Sequence, residues 1–514
     1  MTSKIQPFYI FAILVLAAGG IPKGYDEGGF SASVTLPSFK QDYNLVKAHW
    51  KHDPTGLANR TANITSFGVL GAAFGALIAF FGNDKLGRLW SFRCSILVWA
   101  SGLLMQVFSS GIFGFLLFSR IFSGLGAGAL TVVSPLFLSE IAPAKTRGMI
   151  VSIYMVMLLS FLSLGFFVNY GANLHLAATR MQYRLVQSIP LIPVGLAFIG
   201  SFFMPDSPRW LASKGRHEES VAALARLRGM EINNPELLAE HASIEMDSAT
   251  IAELKNASLK STATEVFNSP TLRSRFLLAL AMQTIAQWTG GNGITYYISD
   301  IFQYAGITGS NTSLITSGAY GLVKLLFTMI FAWGLIDLLG RRRCFMTGLS
   351  LQCATHIYMA IYFGAIPDTN QSASNAAVAS VFIYAIGWSI GLCTVPYIYG
   401  TELFPTRVRS LCYAIVMAAH WFFQFAVVRV TPLMLEALDK WGAYTFWACI
   451  CASGLVILGL WAPETKGIPM ERMDELFQRP WYKCGSAKVS TESFDESFHD
   501  GDEKAVALHT EKAV

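Results

Sequence analysis

About twelve separate apolar stretches, each long enough for a helix to cross a bilayer, dominate this chain of 514 residues. They run at roughly 8–25, 62–81, 90–109, 112–138, 148–170, 184–204, 275–305, 313–337, 343–365, 376–400, 410–437 and 442–462. Inside lipid, a segment must satisfy its own backbone, which leaves only helices or a closed barrel. The stretches are continuously apolar rather than alternating, so helices are expected. A composition of 53% hydrophobic and 14% charged residues agrees with an all-α membrane protein. The first stretch has only Lys4 ahead of it and no convincing cleavage site, so it reads as a retained first helix.

Lys and Arg in short loops set orientation. Lys85, Arg88 and Arg93, then Lys145 and Arg147, Arg341 to Arg343, and Arg407 and Arg409 fall on one side. Sequons beginning at Asn59, Asn63, Asn311 and Asn370 fall on the other. Both termini are therefore expected in the cytosol of a multi-pass protein. The net charge of +5 reflects this sidedness and makes no case for nucleic acid. The eight cysteines lie mainly inside apolar stretches and read as small packing groups, not a disulfide framework. No metal, nucleotide or flavin constellation is visible, and no nucleophile–base pairing points to an enzyme. Gly124, Gly126 and Gly128 follow no strand and read as close helix packing, not a phosphate loop.

The two halves repeat each other. Asp84-Lys85-Leu86-Gly87-Arg88 returns as Asp337-Leu338-Leu339-Gly340-Arg341. Glu140 with Arg147 returns as Glu402 with Arg407, and Pro205-Asp206-Ser207-Pro208-Arg209 has a looser echo in Pro463-Glu464-Thr465-Lys466-Gly467. Three matches in one order, all offset by about 255 residues, indicate a six-plus-six duplication. Parallel repeats of six spans characterise one large transporter architecture, with the substrate site between the halves at mid-membrane. The expected organisation is an N-terminal bundle (1–204), a cytosolic linker of short amphipathic helices (205–274), a C-terminal bundle (275–465) and a mostly disordered polar tail (466–514). Each repeated motif brings carboxylates and guanidiniums to cytosolic helix ends, where they can pair through two parallel hydrogen bonds. Asp84, Arg88, Glu140, Arg147, Asp337, Arg341, Glu402 and Arg407 are expected to hold the cytosolic ends of the halves together. Topogenic charge plus capping is the alternative, but orientation needs only Lys and Arg, and here the carboxylates repeat too.

Taken with Gly24-Tyr25-Asp26, Arg120, Gln287, Asn292, Tyr296-Tyr297 and Phe404-Pro405, these motifs resemble the sugar porter family of the major facilitator superfamily. The resemblance covers nearly all of residues 8–475. Lys324 and Val428-Arg429-Val430-Thr431-Pro432 resemble a fungal branch that includes quinate-permease-like proteins. The resemblance implies a major-facilitator fold of twelve helices, alternating access, a polyhydroxylated substrate and a monomeric functional unit in a lipid bilayer. It also implies the coupling choice, because proton symporters of the family tend to carry Asp where Asp26 stands.

Asp26 on helix 1 and Arg120 on helix 4 are the expected coupling pair. A charge inside a span is costly and marks a pathway or relay. Burial and a neighbouring guanidinium act on a carboxyl in opposite directions, which makes a titratable switch. A permanent structural salt bridge is the alternative. Glu27 is a second carboxylate whose helical direction points elsewhere. Substrate hydroxyls need amides and an aromatic face. Gln283, Gln287 and Asn292 with Tyr297 on helix 7, and Trp388 and Tyr397 on helix 10, supply them. Family members usually carry Gln near Met155, a second Gln at Ala286 and Asn at His420, so three amides are replaced here. The outcomes are a pentose, a differently oriented hexose, or a sugar acid or quinate-like carboxylate held by Lys324, Arg429 and His420. Structural pairing of Lys324 and snorkelling of Arg429 are the alternatives. The expected function is proton-coupled symport of a monosaccharide across the plasma membrane, the proton being the only coupling ion and no cofactor being needed. A passive uniporter and a transporter-like nutrient sensor are the rivals.

Overall fold

The computed structural model describes residues 6–143, 146–255, 259–366, 371–466, 473–478 and 480–485. The tail from 486 onward, for which disorder is expected, lies outside the described residues. The described chain is helical, with no strand. The first half comprises α1 (Pro7–Ser33), α2 (Pro54–Leu86), α3 (Arg88–Val107), α4 (Phe113–Ile141), α5 (Arg147–His175) and α6 (Arg180–Ser201). The second comprises α7 (270–304), α8 (310–339), α9 (Arg341–Ala365), α10 (371–402), α11 (Thr406–Ala437) and α12 (Trp441–Trp461). Among the described residues, nine of these are long and apolar enough to cross a membrane by length and composition alone. The other three are α3 and α9, which begin on arginines, and α7, which is interrupted at Thr289 and Gly290. They take their place through packing. Gly102 and Gly126 bring α3 against α4, while Gly348 and Gly391 bring α9 against α10.

Helix α1 runs further than its apolar stretch. Hydropathy ends it near Tyr25, yet the helix continues to Ser33 and passes through a π-helical turn at Asp26–Phe30. The charges that end the apolar stretch are neutralised inside the fold: Lys23 pairs with Glu27 at 2.8 Å, and Asp26 pairs with Arg120. Asp26 thus lies within a membrane helix, not at its end. Gly20, Gly24 and Gly28 recur every four residues and seat α1 directly on the α5 backbone at Tyr154, Leu158 and Leu162. A Cβ at Gly24 or Gly28 would strike the carbonyl oxygen of Leu158 or Leu162.

The duplication is visible in the packing. Gly87 and Gly340 adopt φ of +90° and +93°, conformations that only glycine takes readily, and so turn the chain from second to third helix of each half. The third helices then receive equivalent N-terminal caps. The Leu89 N–H donates to Asp206 at 3.2 Å, and the Arg341 N–H donates to Glu464 at 2.8 Å. The loose echo of Asp206 and Glu464 is therefore one structural device used twice: a carboxylate arriving after the sixth helix satisfies a free N–H at the start of the third.

Between the halves, helices Pro208–Ser213, His217–Arg228, Pro235–Lys255 and Leu259–Asn268 form the linker. Leu224, Leu237 and Ile244 give it a small core of its own. Arg228 docks it on α4 by donating to the Ile141 carbonyl at 3.0 Å while pairing with Glu240 at 2.6 Å.

Candidate coupling and substrate site

Arg120 is 2% exposed and grips Asp26 with both terminal nitrogens, Nη1 to Oδ1 and Nη2 to Oδ2, the latter at 3.2 Å. Its Nε donates to the Ile64 carbonyl at 3.0 Å and Nη2 to the Thr65 carbonyl at 3.3 Å, so α2 orients the guanidinium. The Phe30 ring lies 3.8 Å from the guanidinium carbon. Gly68 leaves the space; a Cβ there would collide with Nη2. The Asp26 side chain keeps 20% of its surface exposed and faces a small cleft shared with Pro22, Gly68, Ser123 and Tyr296. The acid is therefore beside its guanidinium and open to a space water can enter.

Tyr296 was not singled out for this site on sequence. Its hydroxyl donates to Asp26 Oδ2 at 2.8 Å, from α7 in the opposite half. One carboxylate is thus held by Arg120 from its own half and by Tyr296 from the other. Nothing in the spacing reveals this, because it depends on how the halves meet.

Other polar bonds between the halves join them at the end far from the linker. Tyr297 bonds Thr65, Arg429 donates to Asn59 at 2.8 Å, and Asn173 donates to Asn311 at 2.6 Å. Nearer the linker, the Trp333 indole donates to Ser152 at 2.6 Å. Tyr297, expected among the substrate ligands, has its hydroxyl engaged with Thr65 and with the Val428 carbonyl at 3.2 Å. It acts here as a seam residue. Arg429 is likewise at the far end, where snorkelling carries it, and not in a carboxylate-holding group with Lys324 and His420.

The amides gather around His420 on α11. Its Nδ1 stands 3.0 Å from both Gln283 Oε1 and Gln287 Nε2, and its Nε2 is 3.1 Å from the Tyr397 hydroxyl. Asn292 donates to Gln287 Oε1 at 3.4 Å. The imidazole stands at the centre of the cluster and bridges α7, α10 and α11. Met155 on α5 is half-buried among apolar side chains and brings no polar bond to this cluster. Trp388 lies in a π-helical turn of α10 and covers Lys324, whose Nζ is 3.7 Å from the ring centroid. Gly290, with φ of +87°, breaks α7 between the two glutamines and the segment that carries Asn292 and the tyrosines.

Glu27 pairs with Lys23 and not with Arg120, in keeping with a helical direction different from that of Asp26. Glu27 is buried against Lys23, which itself lies 4.8 Å from the Trp421 ring and 5.7 Å from that of Tyr296, both in the other half. The i, i+4 spacing of Lys23 and Glu27 is the sequence signal for this pair.

Two of the arginines expected to join the halves, Arg88 and Arg341, bind carboxylates of their own half. Arg88 binds Glu140 and Asp84, each at 2.8 Å, and Arg341 binds Glu402 at 3.3 Å. These pairs tie helices within one half, not one half to the other. The reason is local: each arginine heads the third helix, beside the end of the helix bearing its carboxylate. Arg147 heads α5 at the same end. The side chains of Asp337 and Arg407 lie outside the described residues.

Two six-helix bundles with a polar seam between them define a membrane carrier of the major facilitator type. A family model described as "Sugar (and other) transporter" matches residues 12–477, and the chain belongs to that family. Among its relatives is a protein named quinate permease from Neurospora terricola, 30% identical over 96% of this chain and 94% of the relative. Another of that name, from Neurospora africana, is 32% identical over 88% of this chain and 86% of the relative. A solved structure of the proton:xylose symporter XylE bound to 6-bromo-6-deoxy-D-glucose superposes with a TM-score of 0.75 at 19% identity, covering 92% of this chain and all of that one. The inward open conformation of XylE from E. coli gives 0.74 at 19% identity, over 91% of this chain. These structures share the twelve-helix fold.

Proposed function

We propose that this protein is a proton-coupled symporter that carries a sugar-sized polyhydroxylated molecule by alternating access. The observation that carries the reading is the double engagement of Asp26 by Arg120 and, across the seam, by Tyr296. An ionised carboxylate makes both bonds well. Protonation removes the ion-pair attraction and turns the Tyr296 bond from charge-assisted to neutral. Hydrogen bonds to charged groups contribute about 1.5–3 kcal/mol and neutral ones about 0.5–1.5 kcal/mol. The difference is worth roughly tenfold in the balance between closed and open at the far end. A carrier holding only a proton therefore stays open there. Substrate contacts from both halves supply what protonation removed, so closure requires both passengers. On the linker side both leave, and the ionised carrier returns empty.

Lysine and arginine concentrate at the linker end, which supports a cytosolic linker, cytosolic termini and a far end facing outward. A plasma-membrane location fits an inward proton gradient. The amides around His420 suit hydroxyl recognition, as a monosaccharide requires. A second substrate class, a cyclic polyhydroxy acid, is supported by the names of the relatives and by the buried cation Lys324.

The test uses the purified full chain in proteoliposomes with an outside-acid gradient and labelled xylose, glucose, quinate or glucuronate. At least one should accumulate above its external concentration, and a protonophore should reduce it to equilibration. Accumulation indifferent to protonophore, or no uptake of any of them, contradicts the reading.

A further inference from the structure

Lys324 lies midway along α8 and is fully buried. Among the described residues it has no ion pair. Its hydrogen-bond acceptor there is the Thr295 hydroxyl at 3.1 Å, and the Trp388 ring covers it at 3.7 Å. The Tyr320 ring lies further off, at 5.5 Å. A lysine ammonium carries three donors and no acceptor, so one hydroxyl and two aromatic faces leave its hydrogen-bonding capacity unfilled. An uncompensated cation inside a membrane protein is costly and marks a functional site. Lys23 is paired with Glu27 and Arg120 with Asp26, whereas Lys324 has no carboxylate partner among the described residues. Its positive charge is left over.

We propose that Lys324 is the subsite for the carboxylate of an anionic polyhydroxylated substrate, with Trp388 as the aromatic wall beside it. This rests on the transport reading above and names the charged group of its substrate. The anion neutralises the surplus charge, and the hydroxyls fall to the amides around His420. A proton on Asp26 and one carboxylate on Lys324 together carry no net charge, so uptake is electroneutral. Trp388 stabilises the empty ammonium through its ring face, which a carboxylate outcompetes by a direct charge-assisted bond.

The experiment measures uptake of quinate, glucuronate and glucose in proteoliposomes by the wild type, Lys324→Met and Lys324→Arg. The wild type should prefer at least one carboxylate over glucose. Lys324→Met should raise the KM for that carboxylate by at least about tenfold, the value of a hydrogen bond to a charged group. Lys324→Arg should keep most of the affinity, which shows that a fold carrying a cation at this position still works. Clamping the membrane potential with potassium and valinomycin should leave wild-type carboxylate uptake unchanged at fixed pH gradient. Proton-driven uptake of glucose with rejection of both acids overturns the subsite while leaving the symport reading intact. So does an equal loss of acid and glucose uptake in Lys324→Met, or voltage-driven acid uptake. Absence of proton-driven uptake for all three overturns both.

Discussion

Tyr296 donates its hydroxyl to Asp26 at 2.8 Å from the opposite half of the molecule. The acid proposed to take the proton is therefore also part of the seam that closes the far end. Coupling needs no long pathway in this arrangement, because the titrating group and the closing contact share one carboxylate.

Removing that hydroxyl should loosen the seam without touching the Arg120 pair. Tyr296→Phe should shift the carrier toward the state open at the far end, by about 1.5–3 kcal/mol or roughly ten- to a hundredfold in population. Labelling of a cysteine placed in the cleft, Ser123→Cys, by an impermeant thiol reagent reads this directly. Faster labelling is expected with Tyr296→Phe; an unchanged rate contradicts the seam role.

Gly68 is a sharper structural probe. Its missing Cβ is the space the Arg120 guanidinium occupies. Gly68→Ala should displace Arg120 and cost about 1–3 kcal/mol, the usual range for overpacking. Lower melting temperature in detergent together with lost proton-driven accumulation is expected. Normal accumulation would show that the guanidinium has room elsewhere.

The amide cluster should report on affinity. Gln287→Ala removes a partner of both His420 and Asn292. A lost neutral hydrogen bond to substrate is worth about 0.5–1.5 kcal/mol, so KM should rise about two- to tenfold with maximal rate little changed. A fall in rate at constant KM would place Gln287 outside substrate contact.

Asp206, in the linker, predicts a pH effect outside the membrane. Burial pushes its carboxyl above the ordinary value, more than the N–H groups of Ser207 and Leu89 and the nearby Arg88 pull it down. Between the unfolded and folded values the native state holds the extra proton, so stability falls as pH rises through that window. Asp206→Asn should flatten this slope in melting experiments across the mildly acidic range. An identical slope in wild type and variant contradicts the assignment.

Much of the fold was readable because it rests on periodic, repeated signals. Span number, the duplication and the Asp26–Arg120 pair follow from hydropathy, sequence offsets and the resemblance to sugar porters. The errors have physical causes. The end of α1 was misjudged since paired charges look, in hydropathy, like solvent exposure. Tyr297 joins the seam, and Tyr296 reaches Asp26, through contacts between halves that sequence spacing does not encode. The Arg88 and Arg341 pairs lie within each half because their helices end side by side.

The most direct measurement compares exchange with accumulation for Asp26→Asn in proteoliposomes. Asparagine keeps the shape and cannot cycle a proton. Coupling through Asp26 predicts that substrate exchange between two equal pools persists while accumulation under an outside-acid gradient disappears. Retained accumulation by the asparagine variant, at a level that still follows the pH gradient, would contradict it.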